Sequence, residues 1–255
     1  MVFNGRYFKK TGRKRLKKLK RNILIIVLFV ITGLKAKAQE HRNSWFRTTL
    51  SIPLATKFKV DLEGQLRRQN GFENENPLDK SVLYSFRTWC YYKQSEEITL
   101  ALSPFAYFSN YKIIQKQSDE TVSPANEYRF SAAIEVQHKM VSNLFLVNRT
   151  AFEYRVFEGT VENVIRLRHR IMFRYDVNPK FNFAVGDEIF INAMGTDAQH
   201  LFDHNRIIAN IAFKPTNSIK FDLGYMHISR IPKSSIDLLE ENNMYLNFTH
   251  TINNK

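Results

Sequence analysis

The residues of this chain best suited to chemistry are arginines and glutamates that recur at alternate positions. From Val164 to Tyr175 the sequence reads VIRLRHRIMFRY, which sets Arg166, Arg168, Arg170 and Arg174 two or four residues apart. Glu63, Glu127, Arg129, Glu135, Arg149, Glu153, Arg155, Glu188 and Arg206 stand in comparable alternating settings. A spacing of two places such residues on one face of a strand, because successive strand side chains point to opposite sides. Guanidinium and carboxylate groups on neighbouring strands then pair through charge-assisted bonds. Two chemistries follow. One is a structural ion-pair network that fills an interior and fixes strand register. The other is a pore or pocket for anionic solutes, built on the arginine row of 166–174.

A second group is smaller. His227 and Ser229 share one face of a strand, and Asn242 lies across the connection that follows. A histidine that activates a serine, oriented by an asparagine, resembles the arrangement of outer-membrane phospholipases. The chain lacks the glycine-rich surroundings of that family's His-x-Ser motif. The plainer reading is a set of polar residues where a strand leaves the membrane. Metal chemistry has less to draw on. Of seven histidines only His200 and His204 are close in sequence, with Asp197 and Asp203 beside them. No dedicated ligand spacing is present, so the segment reads as a solvated loop, and neither a metal nor another cofactor is expected.

Rows of this kind need strands long enough to carry them. In Lys57–Arg67, Phe58, Val60, Leu62 and Leu66 occupy one face, while Lys59, Asp61, Glu63, Gln65 and Arg67 occupy the other. In 164–175, Ile165, Leu167, Ile171, Phe173 and Tyr175 oppose the arginines. Weaker alternation covers 44–54, 80–93, 97–109, 126–138, 143–156, 180–192, 204–214, 218–230 and 243–253, which makes eleven candidate strands. Soluble strands cluster near ~5–6 residues, whereas a tilted membrane strand needs ~9–11. Short turns alternate with longer polar segments at 69–79, 110–125, 193–203 and 231–242, as in outer-membrane barrels. Such barrels usually have an even strand count. Setting 44–54 aside leaves ten strands that begin and end on the short-turn side, so the expected range is 10–12. A lipocalin-like barrel, with its apolar face inward, is the soluble rival. The charged rows suit a polar lumen better, which turns Phe58, Val60, Leu62, Ile165, Leu167, Ile171 and Phe173 towards lipid. Asp187 interrupts an apolar face and reads as a rim position or a local bulge.

Charge and leader agree with export. The chain of 255 residues carries a formal charge of +14. Residues 1–38 hold twelve Lys or Arg and no acid, which leaves 26 bases against all 24 acids in the remainder. A nucleic-acid partner is excluded, since the folded part has no basic surplus for phosphate. The apolar run Ile23–Leu34 spans roughly 18 Å as a helix, short of the ~30 Å hydrocarbon core. Ala36-Lys37-Ala38 follows as a small-residue cleavage signature. The expected organisation is a signal peptide over 1–38 and a barrel domain over 39–255. Cys90 is the single cysteine, so no internal disulfide staples the fold.

An ordered series of local motifs runs along this domain. It comprises Trp45, Lys57-Phe58, Glu63-x-Gln65-x-x-Arg68, Glu127-Tyr128-Arg129, Asn148-Arg149, Glu153-Tyr154-Arg155, Arg166-Leu167-Arg168-x-Arg170, Glu188–Asn192, Phe202–Arg206 and Gly224-Tyr225. The series resembles an uncharacterised family of outer-membrane β-barrel proteins, catalogued only as a domain of unknown function. The resemblance implies an outer-membrane barrel and brings no activity with it. The chain departs from many barrel proteins in ending Ile252-Asn253-Asn254-Lys255 where they carry a terminal aromatic residue. The combined expectation is an all-β, antiparallel transmembrane β-barrel in the bacterial outer membrane, non-enzymatic, structural or passing small solutes. Its partners would be outer-membrane lipids and, during biogenesis, the barrel-assembly machinery.

Overall fold

A computed structural model of the chain describes residues 41–160, 163–232 and 238–252. The expected signal peptide and the final Asn253-Asn254-Lys255 lie outside the described residues. Eleven strands follow one another: β1 (His41–Ala55), β2 (Phe58–Gln69), β3 (Lys80–Lys93), β4 (Ile98–Asn110), β5 (Ala125–Val141), β6 (Leu144–Phe157), β7 (Val164–Asn178), β8 (Phe181–Met194), β9 (Phe202–Phe213), β10 (Ile219–Arg230) and β11 (Leu239–Thr251). Each pairs with its sequence neighbours, and β11 returns to β1 to close a barrel.

The eleven strands fall within the expected 10–12, and the closure departs from the antiparallel pattern at one seam only. Neighbouring strands pair antiparallel throughout. β1 and β11 instead pair parallel, from His41↔Glu241 to Ser51↔Thr251. Parity is the cause. A meander reverses at every turn, so the first and last of an odd number of strands run the same way. Only a parallel ladder can then join them. β1 therefore cannot be set aside: both of its edges are occupied, and the barrel has no open edge.

Alternation sorts the two faces. Phe58, Leu167, Ile171 and Phe173 are 52%, 43%, 40% and 46% exposed on the outer surface. Val60, Leu62 and Ile165 share that face, half-buried between neighbours. The charged rows point inward, where Arg166, Glu153 and Glu188 are buried. Tyr245 also points inward and lies across Gly224, where a Cβ would collide with its ring.

Short turns gather at one end of the barrel and are closed by local side-chain acceptors. Asn178 Oδ1 accepts from the Lys180 and Phe181 amides at 2.8 and 3.0 Å, and Thr216 Oγ1 from the Ser218 and Ile219 amides at 3.3 and 3.1 Å. The opposite end carries the longer connections. The one between β4 and β5 holds a short 3-10 helix, Gln117–Thr121, and is tied to β2 through Gln69. Gln69 Nε2 donates to the Lys112 carbonyl at 2.9 Å, and its Oε1 accepts from the Ile114 amide at 3.1 Å. Asp119 anchors the same segment. Burial works against its charge, but Lys112 and the amides of Gln115 and Lys116 outweigh that and hold the carboxyl below its ordinary range.

β11 begins at Leu239, earlier than the sequence pattern indicates. Glu240, Glu241 and Asn242 read as a polar loop but are strand: Glu241 is buried on the inner face with Asn243, and Glu240 and Asn242 alternate with them on the outer one.

Candidate functional site

The lumen is organised around buried carboxylates, each shared by several arginines. Glu153 on β6 faces Arg166 on β7 directly in register. It accepts from Arg166 Nη2 at 2.6 Å and from Arg168 Nη1 at 2.7 Å, with Arg129 Nη1 at 3.7 Å. Glu188 on β8 takes Arg168 Nη2 at 2.8 Å and Arg206 Nη1 at 3.6 Å. Glu127 on β5 binds Arg129 and, at 2.7 Å, Arg155. Glu135 lies 3.5 Å from both Arg149 and Arg170, and Glu63 lies 3.8 Å from Arg47. Arg174 reaches Asp176 at 3.0 Å and Gln137 at 2.9 Å. The register explains this order: acids and bases at matched positions of adjacent strands meet because their side chains alternate in step.

Several members escaped sequence reasoning. Asp203, read as part of a loop, takes Arg166 Nη1 at 2.7 Å. Glu241, also read as loop, binds Arg230 and accepts from Asn43 Nδ2 at 2.7 Å. Arg67 stands on the polar face of its strand, as its spacing indicates, but a partner cannot be read from one strand.

Two cavities meet inside the barrel. One, of about 830 Å³, reaches the short-turn end at Asn143, Asn178 and Lys214. The other, of about 450 Å³, lies at the long-loop end between Asn110, Glu158 and Pro232. Arg67, Phe108, Arg129, Arg166 and Arg206 border both and form a waist. Aromatic faces carry the cations there. Arg67 sits 3.5 Å from the Trp45 ring centre, Arg129 3.9 Å from Phe108 and Arg206 4.3 Å from Phe190. Arg67 donates to Gln65 Oε1 at 3.1 Å, yet among the described residues no carboxylate lies within 4.0 Å of it. Arg87 is in the same position, 5.0 Å from Phe108 and 5.2 Å from Trp89, with no carboxylate partner among the described residues. Both line the larger cavity. Among the described residues the other lumen arginines pair with carboxylates, and these two do not.

A sequence profile of the family described as "Protein of unknown function (DUF2490)" matches residues 42–235, from the start of β1 to the connection that precedes β11. The chain belongs to this family. No curated protein matches it in sequence. Among solved structures it is similar to one described as "NanC porin structure in rhombohedral crystal form". That match has 11% identity, covers 79% of this chain and 94% of the other, and has a TM-score of 0.48.

The family member's second polar group lies outside the barrel. Tyr225, His227 and Ser229 on β10 and Glu240 and Asn242 on β11 share the outer face beside the long-loop rim. His227 Nδ1 is 3.1 Å from Asn242 Oδ1, and its Nε2 pairs with Glu240. Ser229 Oγ donates to Glu240 Oε2 at 3.2 Å. The structure brings the three sequence-predicted residues together, but Glu240 stands where a serine–histidine contact would form. His200 and His204 do not converge. His200 bonds Asp197 at 2.6 Å in the connection, whereas His204 is buried in the lumen, stacked on Phe190. Among the described residues no group of His, Cys, Asp and Glu is arranged to hold a metal ion. Asp187 is neither at the rim nor at a bulge. The β7–β8 register shifts at Ile165/Arg166 and Asp176/Asn178, and Asp187 faces outward between them.

Proposed function

We propose that this protein is an exported outer-membrane barrel, cleaved before Gln39, whose lumen admits small anions and passes them slowly. Support for the membrane setting comes from the outer surface. Apolar side chains exposed on successive strands form a continuous belt, far larger than the few hundred Å² a soluble monomer tolerates. A closed barrel also satisfies the backbone polar groups that lipid cannot. The reading of the lumen rests on one observation: Arg67 and Arg87 border the larger cavity without a carboxylate partner among the described residues. An anion entering from the short-turn end therefore meets two guanidinium groups that no carboxylate among the described residues has taken. The paired arginines around them keep the wall rigid and repel cations. Passage needs binding favourable enough to enter and weak enough to leave, and guanidinium groups in sequence along a narrow wall meet that requirement. The reading involves no covalent chemistry and no cofactor.

Purified mature protein in planar bilayers under a potassium chloride gradient tests the proposal. The expected reversal potential has the sign of chloride selectivity. Arg67→Gln with Arg87→Gln should remove most of that selectivity while the folded barrel retains its heat-modifiable mobility. Cation selectivity, or conductance indifferent to both substitutions, would overturn it.

A further inference from the structure

The outer belt contains an island that lipid cannot satisfy. On β7 the outward side chains run Ile165, Leu167, His169, Ile171 and Phe173, and on β8 they run Val185, Asp187, Ile189 and Ile191. Thr150 on β6, next to Phe152 on that face, and Asn205 on β9, next to Ile207, complete the island. Thr150 Oγ1 lies 2.9 Å from His169 Nδ1, and Asn205 Nδ2 donates to Asp187 Oδ1 at 3.3 Å. These bonds use one side of each group only. Among the described residues His169 Nε2 and Asp187 Oδ2 have no partner, and both side chains are exposed.

Position separates this island from the polar group at the β10–β11 rim. His227, Ser229 and Glu240 lie at strand ends, where water and headgroups reach them. His169 and Asp187 have apolar neighbours both above and below along their own strands, so hydrocarbon surrounds them. An ionisable group in that setting is expensive unless another polar group meets it.

We infer that this face is an interface between two copies of the chain related by a twofold axis. In a twofold contact residue i of one copy meets j of the other, and j meets i. His169 and Asp187 suit that rule. One donates and the other accepts, and they sit diagonally on adjacent paired strands, since His169 is in register with Ile189 and Asp187 with Ile171. Two such faces apposed give two His169–Asp187 bonds across the axis. Leu167, Ile171, Val185 and Ile189 surround them as apolar shoulders that exclude lipid. The inference needs the apolar face to be outside, and it is independent of whether the lumen conducts.

The test uses the full mature chain in liposomes, with the number of copies per particle counted by single-molecule photobleaching of a labelled C-terminus. Wild type should give predominantly two-step bleaching. His169→Asp places carboxylates opposite carboxylates and should reduce two-step particles at least tenfold. The double variant His169→Asp with Asp187→His exchanges the two roles and should restore the pair. Because these side chains face outward, each variant should retain heat-modifiable mobility, which establishes folding separately. As a second readout, Ile171→Cys in a Cys90→Ser background should cross-link between copies in wild type and not in His169→Asp. Single-step bleaching by wild type would overturn the inference. So would pairs that persist in His169→Asp, or a double variant that stays single.

Discussion

Glu153 is fully buried among Arg166, Arg168 and Arg129, and among the described residues no other lumen carboxylate gathers as many close arginines. Stripping water from that carboxylate is unfavourable in itself, and the surrounding guanidinium groups offset the loss. Removing it leaves Arg166 with Asp203 and Arg168 with Glu188, but Arg129 and Arg166 then face each other with less negative charge between them. Glu153→Ala should therefore destabilise the barrel by about 3–5 kcal/mol, the range for breaking a buried pair. Glu63→Ala, which loses only a 3.8 Å contact to the half-exposed Arg47, should cost about 0–1 kcal/mol. Urea unfolding of the reconstituted proteins, followed by tryptophan fluorescence, reads both values. Equal effects would mean that the node has no special weight. The sequence made these residues legible as a class, because alternation alone assigns them to one face. It could not single out Glu153 or leave Arg67 and Arg87 unpaired, since those facts depend on which strands become neighbours and in what register.

Among the elements, strand length and alternation carried most of the information. The barrel is visible in runs such as 57–67 and 164–175, because a period of two kept for so many residues has few other uses. The pattern failed where polar residues occupy both faces of a strand end. Glu240–Asn242 lost its strand signal because polar residues stand on both faces there, Glu241 paired inside the lumen and Glu240 and Asn242 outside it. Eleven strands were countable by alternation, 44–54 among them, but the parallel seam between the first and the last was not legible, because it depends on closure of the sheet. The parallel ladder can be checked directly. Phe46 and Leu246 are opposite each other in β1 and β11, and both point outward. In a Cys90→Ser background, Phe46→Cys with Leu246→Cys should form an intramolecular disulfide on mild oxidation, since paired strands bring Cα atoms within the ~4.4–6.8 Å a disulfide spans. Phe46→Cys with Leu223→Cys, which lies one strand further round, should not. A ten-stranded barrel with β1 outside would give neither bond.

In the whole molecule, the waist divides one lumen into two compartments of different character. The compartment at the short-turn end is the larger and is lined by Arg87 and, at the waist, Arg67, which among the described residues have no carboxylate partner; the long-loop compartment is smaller and meets the Arg155–Glu127 pair. Sequence alone could not anticipate this division. It arises because Trp45, Phe108 and Phe190 from distant strands hold arginines over their rings across the centre, and closure of the sheet is what brings those strands together. The proposed passage of small anions uses this division: a hydrated chloride would exchange between guanidinium groups where a bulky molecule meets packed rings. Asn210 borders the larger cavity and Asn110 the smaller. With Cys90→Ser as background, Asn210→Cys should react with a bulky maleimide added at the short-turn side of an oriented bilayer and resist the same reagent from the other side. Asn110→Cys should show the reverse. Small methanethiosulfonate anions should reach both positions from either side, with the far-side rate reduced. Bulky labelling of both cysteines from one side would mean an open channel, and the waist would then have no part in selection.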